Sequence, residues 1–305
     1  MLNLLIKKDQ NTGESLMKLY HGLNYAPEYY DFSICKRVLV PFNLIYRKKI
    51  KQSYLLTLKN NVEELIIDSG AAYYFLNSDK KYPPDYLKSY LSFLIEFKPT
   101  FAFALDFCFE REKFRTRKML EENFFSQEQI ILLAQENGFQ DVFPVVQGWD
   151  RDSYILSAKN VKLLMEKYSL RLFGIGSICR APKNRIKEVL SWIKTVLDLG
   201  RAHGFGQTQR TIPILKKFGL YSLDTSNAVS NAGYNIYCDP FGNWFYSLSG
   251  KQGKNKHRLE YKTFESRKAW YNYLFKLNVE SLEMAVSGVP DGWVHPITNQ
   301  KQLFI

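Results

Sequence analysis

Between residues 64 and 226 short apolar runs alternate with longer stretches of helical period. ELIIDSG (64–70), FAFALDF (101–107), VFPVVQG (142–148), LFGIGSI (172–178), RAHGFG (201–206) and LYSLDTS (220–226) each predict a buried strand, being short, apolar and bounded by Gly, Asp or Ser. Between them, DYLKSYLSFLIEF (85–97) repeats apolar residues at three and four. SQEQIILLAQENG (126–138) opens on a capping box, Ser126 with Gln129, and closes on Gly138. NRIKEVLSWIKTVLDLG (184–200) is expected to stop at Gly200. Strand followed by helix, six times, means parallel strands with crossover helices. Upstream, MKLYHGL (17–23) and RVLVPFNLIY (37–46) bring the strand count to eight, which predicts an α/β fold of the closed (β/α)8 TIM-barrel kind.

With no internal repeat, low-complexity tract or Pro/Gly/Ser-rich linker, residues 1–305 read as one domain. A hairpin-like insertion is expected at about 233–251 and a closing helix at about 264–287. The aromatics of that helix, Trp270, Tyr271, Tyr273 and Phe275, are assigned to core packing.

Composition adds little to the fold but bears on the partner. With 46% hydrophobic and 24% charged residues the balance is that of a soluble globular chain. No apolar run reaches the roughly 18–20 residues that span a bilayer, and the start lacks the pattern of a secretion signal, so a cytoplasmic protein with no membrane partner is expected. Cys35, Cys108, Cys179 and Cys238 are scattered without a Cys-x-x-Cys pair, which fits a reduced compartment and supports neither a disulfide framework nor a zinc ribbon. Forty-two Lys plus Arg against 30 Asp plus Glu leave a net charge of +12, and a polyanionic partner follows. Basic residues gather in YRKKIKQSY (46–54), REKFRTRK (111–118) and KQGKNKHR (251–258). Each run alone has an ordinary alternative as a solvated helix face; together with the net charge they favour nucleic acid.

The loops at the carboxyl ends of a barrel's strands converge on one mouth. The residues ending the runs here are Asp68-Ser69-Gly70, Asp106, Gln147-Gly148, Gly174 with Gly176-Ser177, His203-Gly204 with Gly206, and Asp224-Thr225-Ser226. A lone Asp at a strand end is often just the N-cap of the next helix, and a lone His is more often a satisfied polar residue than a catalyst. Three acids and an amide in register point instead to a pocket. One carboxylate can attack an anomeric carbon while a second shuttles protons. An Asp and a Gln together can read a purine edge. No lysine at a strand end offers a Schiff base, and no His-x-His pair offers a hydrolytic metal site.

In their order along residues 64–230, IIDSGA, FALDFC, VVQGW, GIGS, HGFG and LYSLDTSNAV resemble the tRNA-guanine transglycosylase superfamily, and most nearly its DpdA-type members, which insert 7-deazaguanine bases into DNA. The resemblance implies that Asp224 is the nucleophile at C1′ and Asp68 the proton-transferring acid/base. It implies that Asp106 and Gln147 hold the base edge, with Ser69, Gly70, Gly148, Gly174, Gly176, Ser177 and His203 lining the pocket. It further implies guanine exchanged for a preQ0-like base in DNA, with tRNA or a non-catalytic nucleic-acid-binding barrel as the alternatives, and no cofactor. A glycosidase would share the paired acids but give no reason for the charge. Lys48, Lys49, Arg111, Arg115 and Arg117 are the expected strand-holding cations.

The sequence departs from the superfamily in two places. Only Cys238, His257 and His295 stand where tRNA-acting members carry a zinc subdomain, which does not support a structural zinc. Ala71 and Ala72 follow Asp-Ser-Gly where bacterial members have Gly and a stacking aromatic, leaving Tyr73 or Tyr74 as substitutes.

Overall fold

The computed structural model describes residues 17–23, 30–77, 81–179, 181–246 and 265–296. The basic run at 251–258, residues 247–251 of the expected insertion and residue 264 of the expected closing helix lie outside them.

The chain forms β1 (Lys18–Gly22), β2 (Arg37–Pro41), α1 (Phe42–Tyr46), α2 (Gln52–Asn61) and β3 (Glu64–Asp68). A π-helical turn, Ala72–Asn77, leads to α3 (Tyr86–Phe97), β4 (Phe101–Phe103), α4 (Arg117–Glu136), β5 (Val142–Phe143) and β6 (Val145–Val146). Then come α5 (Arg151–Lys167), β7 (Phe173–Ile175), α6 (Lys183–Lys194), β8 (Ala202–Gly204), α7 (Ile212–Phe218) and β9 (Ser222–Thr225). After the short α8 (Asn227–Gly233), β10 (Ile236–Cys238) and β11 (Trp244–Tyr246) pair antiparallel as the expected hairpin, and α9 (Arg267–Ser287) follows.

All nine strands β1–β9 are parallel, in the order β5-β4-β3-β2-β1-β9-β8-β7-β6. The two ends of that order are neighbours in sequence, with only Pro144 between them. Proline has no N–H to give a ladder, but its carbonyl accepts from Gly174 N at 2.8 Å, while the Phe143 carbonyl accepts from Ala104 N at 2.9 Å. The sheet is thus nearly closed into a barrel of the TIM kind, as the eight apolar runs predicted. Both faces of such strands are covered, which is why Ile66, Ile67, Ala102, Phe103, Val145 and Val146 are completely buried. Rings fill the interior: Tyr20, Phe101, Phe103, His203 and Phe205 lie with centroids 4.7–5.9 Å apart.

Among the boundaries that differ from the sequence reading, three have a clear local cause. Helix α4 starts at Arg117, not Ser126, because Thr116 Oγ1 caps Met119 N at 3.1 Å and the basic first turn is solvent-facing; Ser126 is mid-helix. Helix α6 ends at Lys194, since Asp198 accepts from Gly200 N at 2.9 Å and draws that glycine into a separate 3₁₀ turn. RVLVPFNLIY is strand only as far as Pro41; Phe42, Leu44 and Ile45 continue the apolar run on α1.

Helix α9 packs on α8, β1, α7 and β10. Of its four aromatics, Trp270 and Phe275 are core, while Tyr271 and Tyr273 are half-buried. Asn278, fully buried, treats β10 as a neighbouring strand would: its Oδ1 accepts from Cys238 N and its Nδ2 donates to Ile236 O, both at 2.9 Å. Among the described residues no helix is long and apolar enough to cross a membrane.

Candidate active site

The three acids end β3, follow β4 and lie within β9, so the barrel brings them to one mouth. None caps a helix. Thr116 and Ser226 hold the N-cap positions of α4 and α8, and Asp68 Oδ1 instead accepts from Gly70 N at 2.6 Å. Gly70 has φ +72°, and a Cβ there would lie 2.7 Å from Asn43 Oδ1, so this turn requires glycine.

Asp224 is held from two sides. Its Oδ1 accepts from Gly206 N at 3.0 Å and faces His203 Nε2 at 3.2 Å, while His203 Nδ1 lies 2.9 Å from Ser222 Oγ. Both nitrogens of this buried imidazole are therefore engaged by protein, and His203 reaches the mouth through its contact with Asp224.

Asp106 anchors a second group. One of its oxygens accepts from Ser69 Oγ and the other from Gln147 Nε2. Gln147 Oε1 accepts from Ser177 Oγ at 2.5 Å, and Ser177 Oγ in turn accepts from Phe109 N at 3.1 Å. The backbone of this group is fixed by α3 and its approach, with Tyr82 OH donating to Asp106 O at 2.7 Å and Tyr86 OH to Ser69 O at 2.8 Å. Ser69, Asp106, Gln147 and Ser177 thus form one hydrogen-bonded chain across the loops of β3, β4, β6 and β7.

The acids of the mouth differ in electrostatic setting. Burial, and then the Asp224 charge, push the Asp68 carboxyl up to about 8. Burial also raises Asp106, against the pull of its donors Ser69 and Gln147. Asp68 therefore keeps its proton at neutral pH, near the Asp224 carboxyl.

The glycines divide by what they touch. A Cβ at Gly176 would run into the Gln147 amide, so that glycine makes room for the amide itself. At Gly174 it would meet the Phe205 ring at 2.5 Å, and at Gly148 the Tyr154 ring at 2.8 Å; these two make room for packed rings.

The expected cations are dispersed. Lys48 and Lys49 are exposed at the end of α1. Arg111 donates to Leu76 O of the π-helical turn, whereas Arg115 turns back onto the carbonyls of Phe109 and Glu110 at 2.9 and 2.7 Å, and Arg117 pairs with Glu121 at 3.1 Å. Arg47, 4.0 Å over the Tyr73 ring, joins this side of the molecule.

Sequence reasoning passed over Glu110. Half-buried, it lies 3.3 Å from Ser177 Oγ through Oε2, its Oε1 is buried without a partner, and burial raises its pKa. Its place four residues beyond Asp106, immediately before the basic run REKFRTRK, masked it.

Among the described residues no three His, Cys, Asp or Glu side chains gather as a metal's ligands would. Two shallow concavities at the opposite end of the barrel, one along Lys194–Gly200 and one beside Arg171 and Arg201, share no residue with the mouth.

Fold and mouth together define an α/β barrel with paired acids at its carboxyl-terminal rim. No protein-family model matches the chain, and no curated protein matches its sequence.

Proposed function

We propose that this protein is a base-exchange transglycosylase that replaces guanine in DNA with a 7-deazaguanine base of the preQ0 kind. The observation that carries this reading is the split pair of acids: Asp68 proton-bearing up to about 8, beside Asp224 oriented by an amide and an imidazole. Two carboxyl groups in unlike settings are what a nucleophile and an acid/base partner require.

In the reaction an Asp224 oxygen bonds to C1′ as the bond from C1′ to guanine N9 breaks, and Asp68 gives its proton to the departing base. The incoming base returns a ring N–H proton to Asp68, and its nitrogen takes C1′ back, releasing Asp224. Asp106 and Gln147 present the purine edge with its partners, since Gln147 retains one N–H and each of their oxygens a lone pair beyond the internal chain. To reach C1′ in a duplex the nucleotide must be extruded, at a few kcal/mol, and Lys48, Lys49 and Arg111 are suited to hold the distorted strand.

The test is incorporation of a labelled 7-deazaguanine into purified DNA, with tRNA in parallel. Asp224→Ala is expected to lower incorporation by at least ~10³-fold. Wild-type incorporation should fall off above about pH 8 as Asp68 loses its proton. Exchange on tRNA alone moves the substrate to RNA, and unchanged exchange by Asp224→Ala removes that residue from the chemistry.

A further inference from the structure

We propose that the tip of the β10–β11 hairpin is a stacking platform for unpaired nucleic-acid bases beside the reacting nucleoside. The proposal rests on the nucleic-acid partner inferred above, not on the exchange chemistry.

Single exposed apolar side chains are ordinary on a protein surface; a cluster of rings around a cation is not. Here Phe241 is 65% exposed and Trp244 49%, and Trp293 packs edge-on to Phe241 with ring centroids 6.2 Å apart. The exposed Arg210 sets its guanidinium 5.6 Å from the Trp244 centroid and donates from Nε to Gly242 O at 3.1 Å. Gly242 has φ +87°, and a Cβ there would stand 2.7 Å from Arg210 Cγ, so glycine allows this close approach.

The tip is built rather than loose. Asp239 Oδ1 accepts from Phe241 N at 3.0 Å and Asn243 N at 2.8 Å, and its Oδ2 accepts from Asn243 Nδ2 at 2.8 Å. The nearby carboxylate is consumed by the turn, and the rings are presented with little ordering left to do on binding.

Its position gives it a role. Arg210 belongs to the loop whose Gly206 N and Gln207 N donate to Asp224 Oδ1 and Asp224 O at 3.0 and 2.8 Å. From Gly206 to Arg210 the chain spans at most about 14 Å, the reach of a few stacked nucleotides at ~3.4 Å each. Aromatic faces take bases of any sequence, and Arg210 with the net charge of +12 takes the phosphates, so the fitting partner is a nucleic-acid strand unpaired next to the extruded nucleotide.

The test is anisotropy of a labelled single-stranded oligonucleotide titrated with the full chain and with Trp244→Leu, Phe241→Leu and the control Phe125→Leu, which alters an equally exposed ring on α4. Each platform variant should bind ~5- to 100-fold more weakly while the control binds as wild type. Unchanged thermal melts show that the variants fold, and size-exclusion chromatography reports their association state. Platform variants that bind as wild type, a wild-type protein that binds no oligonucleotide, or a change confined to association state would each overturn the proposal; the last would make the tip a self-association surface. Exchange by Asp224→Ala is read separately. If that variant still exchanges bases while the platform variants lose binding, Asp224 falls as the nucleophile and the platform stands; if the wild type exchanges no base while the platform variants lose binding, the exchange reading falls and the platform stands.

Discussion

Asp68 holds its proton to about 8 when folded and loses it near ~3.9 when unfolded. Between those values the folded chain binds more protons, so Asp68 makes stability fall as pH rises from about 4 to about 8, with no further change beyond. Asp68→Asn removes that slope. Subtracting the denaturation midpoints of the variant from those of the wild type across pH should give a curve that is flat at both ends and descends between. A flat line throughout would mean that Asp68 titrates normally. At Gly176 the expected effect is on the pocket alone: Gly176→Ala displaces the Gln147 amide and should lower base exchange at least ~10-fold with circular dichroism unchanged. Asp68, Asp106, Gln147 and Asp224 were readable from sequence because each closes an apolar run. The hydroxyls of Tyr82 and Tyr86, the inward turn of Arg115 and the buried oxygen of Glu110 were not, since their partners are carbonyls and side chains that only the folded backbone positions.

Among elements, strands were easier to read than helix starts, and the reason is local chemistry. A strand buried on both faces is an unbroken apolar word, as in FAF or LII, whereas α4 opens on the charged turn RKMLEE and shows its core face only later. The π-helical turn after Gly70 left no periodic mark at all; it is recognisable in the structure by where it sits, next to Asp68. Asn278 was equally silent, because a buried amide on a helix declares itself only when the strand edge it serves is known. Asn278→Leu would strip partners from Cys238 N and Ile236 O, and should cost about 2–4 kcal/mol in denaturant unfolding, two buried backbone groups at ~1–2 each. A cost under ~0.5 kcal/mol would show that water or a shifted helix replaces the amide.

For the whole molecule, eight apolar runs and their alternation with helices were enough to specify the barrel, and the net charge of +12 sets how it should meet a polyanion. On the proposed nucleic-acid reading, affinity for DNA should fall steeply with salt, and replacing exposed Lys48 and Lys49 together by Gln should flatten the plot of log K against log salt by about 2, one for each phosphate contact that the reading gives them. A slope unchanged by that double substitution would put the phosphates elsewhere on the surface.

The ring of strands has a further property that follows from Pro144. Its first and last members, β5 and β6, are consecutive on the chain, so the seam is covalent rather than a row of hydrogen bonds between distant segments. Severing the backbone there, for example with an inserted protease site, would leave two raw margins, each free to recruit a foreign strand, and clipped protein should accumulate as oligomers or fibrils while the intact ring stays dispersed.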